Sequence, residues 1–177
     1  SVSMLKNGKN RQKMMKYILS SSKQISQIYN DIHFFFFFEM NEDVFEEFDL
    51  KDLVSESVDY FNDISITKNI QINSNLLNCF IKMDKTKTQK LVNNLISNAI
   101  KYSYKDSIIK VTLEDNILSI KDFGMGIIQE EQKEIFKRYK RGNNNEGGFG
   151  IGLDIVKRIC KEYNLLLTLK SQINKET

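Results

Sequence analysis

The sequence predicts an α+β fold, a two-layer α/β sandwich in which a mixed sheet is covered by helices, preceded by a long N-terminal helix. Three observations predict it. Short alternating apolar segments recur between helical stretches in the order β-β-α-β-β-α-α-β. Apolar residues at helical spacing occupy residues 11–38 ahead of them. Seven of the eight glycines fall between residues 124 and 152, and proline is absent. Glycine concentrates where backbone turns sharply or approaches a ligand closely.

The first helix is read from Met14, Ile18, Ser21, Ile25, Ile28, Ile32 and Phe35, which recur in alternating steps of four and three. That is a coiled-coil-like seam, widened by Met15, Tyr29 and Phe36. One helix cannot bury such a stripe alone, so it calls for a partner helix from this chain, a second copy, or a segment outside this sequence. His33, the only histidine, follows the seam position Ile32 on a different face and precedes five phenylalanines, Phe34–Phe38. Asn41–Phe48 is acidic and reads as a hinge. Three regions follow: residues 1–40 as helix, 41–48 as linker, and 49–177 as the main domain.

Within that domain Asp49 is a helix cap for LKDLVSESVDYFND. IQINSNL (70–76) alternates as a strand, and CFIKM (79–83) reads as its paired strand. Asp84 caps a long helix, KTKTQKLVNNLISNAIKYS. IIKVTLE (108–114) and ILSIKDF (117–123) form a hairpin around Asp115-Asn116, a good turn pair. A short helix QEEQKEIFKRY, a Gly/Asn-rich loop over 142–148, a helix from about 151 to 163 and a strand LLLTLKS complete the order.

Composition narrows the function. Of 177 residues, 41% are apolar, enough for a core, and the net charge is only +3. The charge is uneven. Residues 1–30 carry six Lys/Arg and no acid, while residues 39–63 carry ten Asp/Glu against Lys51 alone. The basic start lacks a groove-reading or glycine-aromatic motif, so it reads as a solvated helix face, and no nucleic-acid partner is expected. Cys79 and Cys160 stand far apart without a CxxC, which argues against a metal site and for a reducing compartment. No apolar run approaches the ~20 residues of a membrane span.

Three stretches carry chemistry. On the helix 85–103, Asn94, Asn98 and Lys101 lie at i, i+4 and i+7 and share one face. Two amides and a lysine suit polyphosphate and a hydrated cation, because an Asn oxygen can coordinate Mg²⁺ while waters fill the other positions. KDFGMGI (121–127) is an Asp-x-Gly-x-Gly turn leaving a strand. Asp122 there can accept from an exocyclic amine. GGFGIGL (147–153) leads glycines straight into a helix, whose exposed N–H groups form an anion site. It is neither a Walker loop nor a dinucleotide fingerprint. IFKRYKRG (135–142) places four cations just before it.

In this order and spacing the motifs resemble the ATP-binding catalytic domain of sensor histidine kinases of two-component systems, the Bergerat or GHKL-type ATPase fold. The match is NNLISNAIKYS, DFGMG, IFKRYKRG and GFGIGL, and in outline it covers Phe48 to Ser171. The segment before it, KYILSSSKQISQIYNDI, looks like the second helix of that family's dimerisation hairpin. The resemblance implies ATP and Mg²⁺ as ligands. It implies that Asn98 ligates Mg²⁺, that Asn94 lies beside phosphates and metal, that Lys101 contacts phosphate and that Tyr102 lies against the adenine. Asp122 would bind the adenine amino group, with Gly124, Gly126 and Ile127 shaping that pocket. Arg138 and Arg141 would reach the terminal phosphate. Gly148, Gly150 and Gly152, with Leu153, would border the lid over the triphosphate. Asn94, Lys101 and Arg141 would serve phosphoryl transfer, which is mostly positioning and charge neutralisation.

An amide at position 94 cannot act as a general base, which favours phosphotransfer over hydrolysis. The alternatives are an ATP-hydrolysing switch of the same fold, and a non-catalytic dimerisation or docking module. The family's phosphoacceptor motif (histidine, acid, apolar, Arg or Lys, Thr or Asn, proline) is not matched at His33, so the acceptor histidine is expected outside this chain. The resemblance further implies a response-regulator receiver domain as partner, the acceptor hairpin helix of the parent protein, a homodimer through the N-terminal helix, and a cytoplasmic domain whose parent can be anchored in the inner membrane. Ile128 replaces a frequent proline, and the family's Gly-rich turn and final apolar strand are not matched by INKET, so the sheet is expected to lack an edge strand.

Overall fold

The structure, a computed structural model, describes residues 42–132, 135 and 151–173, with part of 10–29. In chain order the elements after the N-terminal helical residues are β1 (Phe45–Asp49), α1 (Leu50–Thr67), β2 (Gln71–Leu76), β3 (Phe80–Asp84), α2 (Lys85–Tyr102), β4 (Ile108–Glu114), β5 (Ile117–Lys121), the single turn α3 (Gln129–Gln132) and α4 (Gly152–Glu162).

Two aspartates set the junctions between strand and helix. Asp49 ends β1, and its Oδ1 accepts from the N–H of Lys51 (3.0 Å) and of Cys79 (2.8 Å), capping α1 while holding the approach to β3. These bonds keep the Asp49 carboxyl below its ordinary range, the one from Cys79 contributing most. Asp84 ends β3 and caps α2 by accepting from Lys87 N–H (2.9 Å) through Oδ1, while Oδ2 accepts from Val44 N–H (3.0 Å). A carboxylate at a helix start also meets the positive end of the helix dipole.

The main sheet has the order β2-β4-β5, parallel between β2 and β4 and antiparallel between β4 and β5. β3 and α2 form the crossover that a parallel pair requires. The β4–β5 hairpin turns at Asp115 (φ 51°) and Asn116 (φ 59°), two residue types that tolerate the left-handed conformation. Alternate residues of β4, Ile109, Val111 and Leu113, are fully buried. Opposite them α1 presents Leu53, Val54 and Phe61, α2 presents Val92 and Ile96, and α4 presents Ile155, Val156 and Ile159. Helices thus cover the mixed sheet as two layers, as expected. Cys79 and Cys160 are buried free thiols.

The structure departs from the sequence reading in three places. Phe45–Phe48, expected in an irregular linker, belongs to β1, which pairs antiparallel with β3 in a separate two-stranded sheet. Its five residues carry three acids, which masked the strand pattern, and the pairing is long-range. Consequently β3 does not pair with β2, which runs parallel to β4 instead. Residues 165–170, expected as a strand, run without regular pairing.

The N-terminal residues described are helical. Met14, Ile18 and Ile25 of the seam are exposed, so among the described residues no partner covers them. On another side of that helix Lys23 reaches α1. Its Nζ donates to Asp63 Oδ2 (2.9 Å) and Tyr60 O (3.2 Å) and lies 4.9 Å from the Tyr60 ring centroid. Ile28, Ile32, His33 and Phe34–Phe38 lie outside the described residues. No described helix is long and apolar enough to cross a membrane.

Candidate functional site

α2 is the floor of the site. Its apolar positions Leu91, Val92, Ile96, Ala99 and Ile100 bury one side in the core. Asn94 lies toward α4 rather than in solvent. It is 3% exposed, and its Nδ2 donates to Lys90 O (2.9 Å). The sequence put Asn94 on one face with Asn98 and Lys101; packing of α4 against α2 covers it. The cover is Gly152, the first residue of α4. A Cβ there would stand 2.6 Å from Asn94 Oδ1 and 3.8 Å from Asn98 Nδ2. Only glycine lets the start of α4 come this close.

Asn98, one turn further along α2, has a buried Nδ2 with no hydrogen-bond partner. An unsatisfied buried amide is costly, so a ligand oxygen that accepts from it is favoured there. The cap residue Ile151 gives α4 no side-chain hydrogen bond, so the helix start at Gly152, beside Asn94 and Asn98, has no side-chain cap for its first N–H groups. Two amides, a helix start and a missing Cβ therefore converge where a phosphate and its cation would fit. Lys101 continues this face, and its Nζ lies 4.8 Å from the Tyr102 ring centroid, so the two side chains stand together at the end of α2. Lys68 holds that end by donating to Lys101 O (2.9 Å) and Ile100 O (3.3 Å).

The second half of the site follows β5. Asp122 is 8% exposed and its Oδ1 accepts from Gly124 N–H (2.9 Å). Burial raises its pKa to about 6, against the smaller lowering effect of the Gly124 bond. Gly124 bridges to Ser103, so the turn is attached to the end of α2. Gly126 turns with φ 68°. The Ile127 main chain is engaged within the protein, its N–H donating to Ser171 Oγ (2.8 Å) and its carbonyl accepting from Gln132 Nε2 (3.1 Å). The Ile127 N–H is therefore already engaged, while its carbonyl keeps a second lone pair.

The structure thus brings together Asn94, Asn98 and Gly152 on one side and Tyr102, Asp122, Gly124, Gly126 and Ile127 on the other, with Lys101 beside Tyr102 and Leu153 next to Gly152 in α4. Arg138, Arg141, Gly148 and Gly150 lie outside the described residues. Sequence reasoning missed Ser103, whose buried Oγ has no hydrogen-bond partner. Its position directly after Tyr102 was the available signal, while its bridge to Gly124 is visible only in the structure.

Comparison with known proteins identifies the family and the fold. Residues 83–177 match the family described as histidine kinase-, DNA gyrase B-, and HSP90-like ATPase. The chain is 32% identical over 136 residues to the sensor histidine kinase RppB of Synechocystis, covering 71% of this chain and 30% of RppB. It is 37% identical over 108 residues to the signal transduction histidine-protein kinase ArlS of Staphylococcus aureus, covering 56% of this chain and 24% of ArlS. Its fold is similar to that of the mycobacterial sensor histidine kinase MprB, with a TM-score of 0.62 and 25% identity over 68% of this chain and 81% of that one. The chain therefore spans less than a third of the curated relatives it matches.

Proposed function

Because the chain belongs to the family of histidine kinase-, DNA gyrase B- and HSP90-like ATPases, we propose that it is the ATP-handling catalytic region of a sensor histidine kinase. In this reading it donates the γ-phosphoryl group of ATP to a histidine outside this chain, for relay to a response-regulator receiver domain. The observation that carries the reading is the meeting of Asn94 and Asn98 with the uncapped start of α4 beneath Gly152.

Each side chain has a role that follows from its chemistry. Asp122 accepts from the adenine amino group and is already desolvated for it. Tyr102 offers a ring face to the base. Asn98 gives its unpaired N–H to a phosphate oxygen or turns its amide oxygen to Mg²⁺, and Asn94 stands beside it. Mg²⁺, when bound, supplies neutralisation of the phosphate charge. Lys101 holds the phosphates, and Arg138 and Arg141 complete the cationic set at the terminal phosphate. Gly148 and Gly150, outside the described residues, keep the part the family resemblance implies for them, beside the triphosphate.

Asn94 supports transfer over hydrolysis. It is neutral, and its amide is committed to Lys90 O, so it supplies no general base for water. The exposed seam of the N-terminal helix supports pairing with a second copy and with the acceptor hairpin of a longer parent.

Titration of the chain with ATP and ADP, with and without Mg²⁺, tests the proposal. Binding of both nucleotides is expected, with Mg²⁺ dependence reduced most by Asn98→Ala. A folded chain that binds neither nucleotide refutes it. Steady phosphate release abolished by Asn98→Ala would instead favour an ATP-hydrolysing switch.

A further inference from the structure

The turn that carries Asp122 is anchored at two ends. The first anchor is local: Gly124 bridges Ser103, and Met125 N–H donates to Tyr102 O at 3.4 Å. The second comes from 44 residues away. Ser171 Oγ accepts from Ile127 N–H at 2.8 Å. Gln132 Nε2 donates at once to Ile127 O and to Ser171 O, both at 3.1 Å. Between the anchors, Gly126 lies against the backbone of the same distant segment, where a Cβ would overlap Gln172 O and stand 2.8 Å from Ile173 Cα. Among the described residues, the hydrogen bonds that hold the far end of the turn come from the Ser171 hydroxyl and the Gln132 amide.

We infer that Ser171 and Gln132 are positioning residues that set the base-recognition turn Asp122–Ile127, and thereby the preference for adenine over guanine. The inference rests on the proposed nucleotide site. Adenine offers an amino donor where guanine offers a carbonyl acceptor. A carboxylate held at a fixed place therefore welcomes the first and repels the second. If the far end of the turn is released, Asp122 can move away from guanine's carbonyl, and discrimination falls. Neither residue touches the nucleotide in this account; both act through Ile127.

The test is nucleotide titration on the whole chain with Mg²⁺, comparing ATP with GTP for wild type, Ser171→Ala, Gln132→Met and Ser171→Thr. Removing the one hydrogen bond that the Ser171 hydroxyl accepts, or the two that Gln132 Nε2 donates, is expected to lower the ATP-over-GTP ratio by roughly three- to tenfold per bond. Ser171→Thr keeps the hydroxyl and is expected to retain the wild-type ratio. A purely structural role would lower the melting temperature and leave the ratio of the folded protein unchanged. An unchanged ratio in folded Ser171→Ala or folded Gln132→Met overturns the inference, and if one variant does not fold the other decides. Wild type that binds neither nucleotide overturns the nucleotide site itself. Wild type that binds ATP and loses it in Asp122→Ala, with ratios unmoved at positions 171 and 132, overturns only the positioning role.

Discussion

A Cβ at position 152 would stand 2.6 Å from Asn94 Oδ1, so the first residue of α4 lies directly on a buried amide of α2. Asn94 cannot easily withdraw. It is 3% exposed and tied to Lys90 O. Gly152→Ala must therefore shift α4 or break that bond, at an overpacking cost of about 1–3 kcal/mol. The expected outcome is a lower melting temperature together with a loss of Mg²⁺-ATP affinity of roughly tenfold or more, read by calorimetry. Unchanged ATP affinity would separate this contact from the phosphate site.

Asp122 predicts a pH effect on stability with a definite sign. Its folded-state pKa of about 6 lies above the ordinary 3.8 because burial disfavours the charged form. A raised carboxyl stabilises the fold while protonated. That contribution is full below about pH 4 and is lost as pH rises through about 6. Asp122→Asn keeps an oxygen for Gly124 N–H and removes the charge. It is expected to stabilise the apo protein at pH 7, by on the order of 2–3 kcal/mol, and to have little effect near pH 4. Urea unfolding at both values measures the difference.

The same group predicts a proton linkage to binding. An ionised Asp122 is the better acceptor for the adenine amine, so ATP and ADP affinity should fall as pH drops below about 6. The phosphates titrate too, so the decisive quantity is the part of the dependence that Asp122→Asn removes. Calorimetric titration of both proteins in buffers of different ionisation heat would detect the proton released on binding. Equal proton release by wild type and variant would count against this linkage.

Lys87 joins three distant segments. It is 7% exposed, bonds Asp43, and donates to Glu162 Oε1 at 2.7 Å, while Tyr163 donates its hydroxyl to Asp43 Oδ2 at 2.8 Å. Burial pushes the Lys87 pKa down, but the bonds to Asp43 and Glu162 together raise it. The Lys87 bond, against burial, holds the Asp43 carboxyl low. Lys87→Met strands both carboxylates. Because the acids are partly exposed, the cost is expected at about 1–3 kcal/mol, below the full figure for a buried pair. A depressed Asp43 stabilises above its unfolded pKa and loses that contribution in acid, so the penalty should shrink at low pH. Chemical denaturation across pH checks it.

Incubated alone with γ-labelled ATP, the chain should retain no acid-labile phosphate. His33 is followed by Phe34 and Phe35 instead of the acidic neighbour of an acceptor motif. Label that stays on the chain and disappears in His33→Ala would make His33 an acceptor after all.

Much of this molecule is local in character and was legible in the amino-acid order. Asp49 and Asp84 cap their helices by accepting from N–H groups two and three residues ahead, Lys51 and Lys87. Asp115-Asn116 turns the β4–β5 hairpin with the backbone those residue types tolerate. The i, i+4 spacing of Asn94 and Asn98 and the glycines at 124, 126 and 152 marked both halves of the site. What the order of residues could not carry is pairing across distance. β1 met β3 rather than serving as a hinge, and β2 ran parallel to β4. Such partners are chosen by the burial of whole faces, and a strand's alternation does not name its neighbour. The burial of Asn94 under Gly152, the orphaned Asn98 amide and the Ser171–Ile127 bond arise only when α4 and the segment after it fold back onto α2 and the Asp122 turn. The residue types that suit a nucleotide were determined by the sequence alone. Their desolvation, and so the pKa of about 6 at Asp122, was decided by tertiary packing, because only packing removes water from a charge.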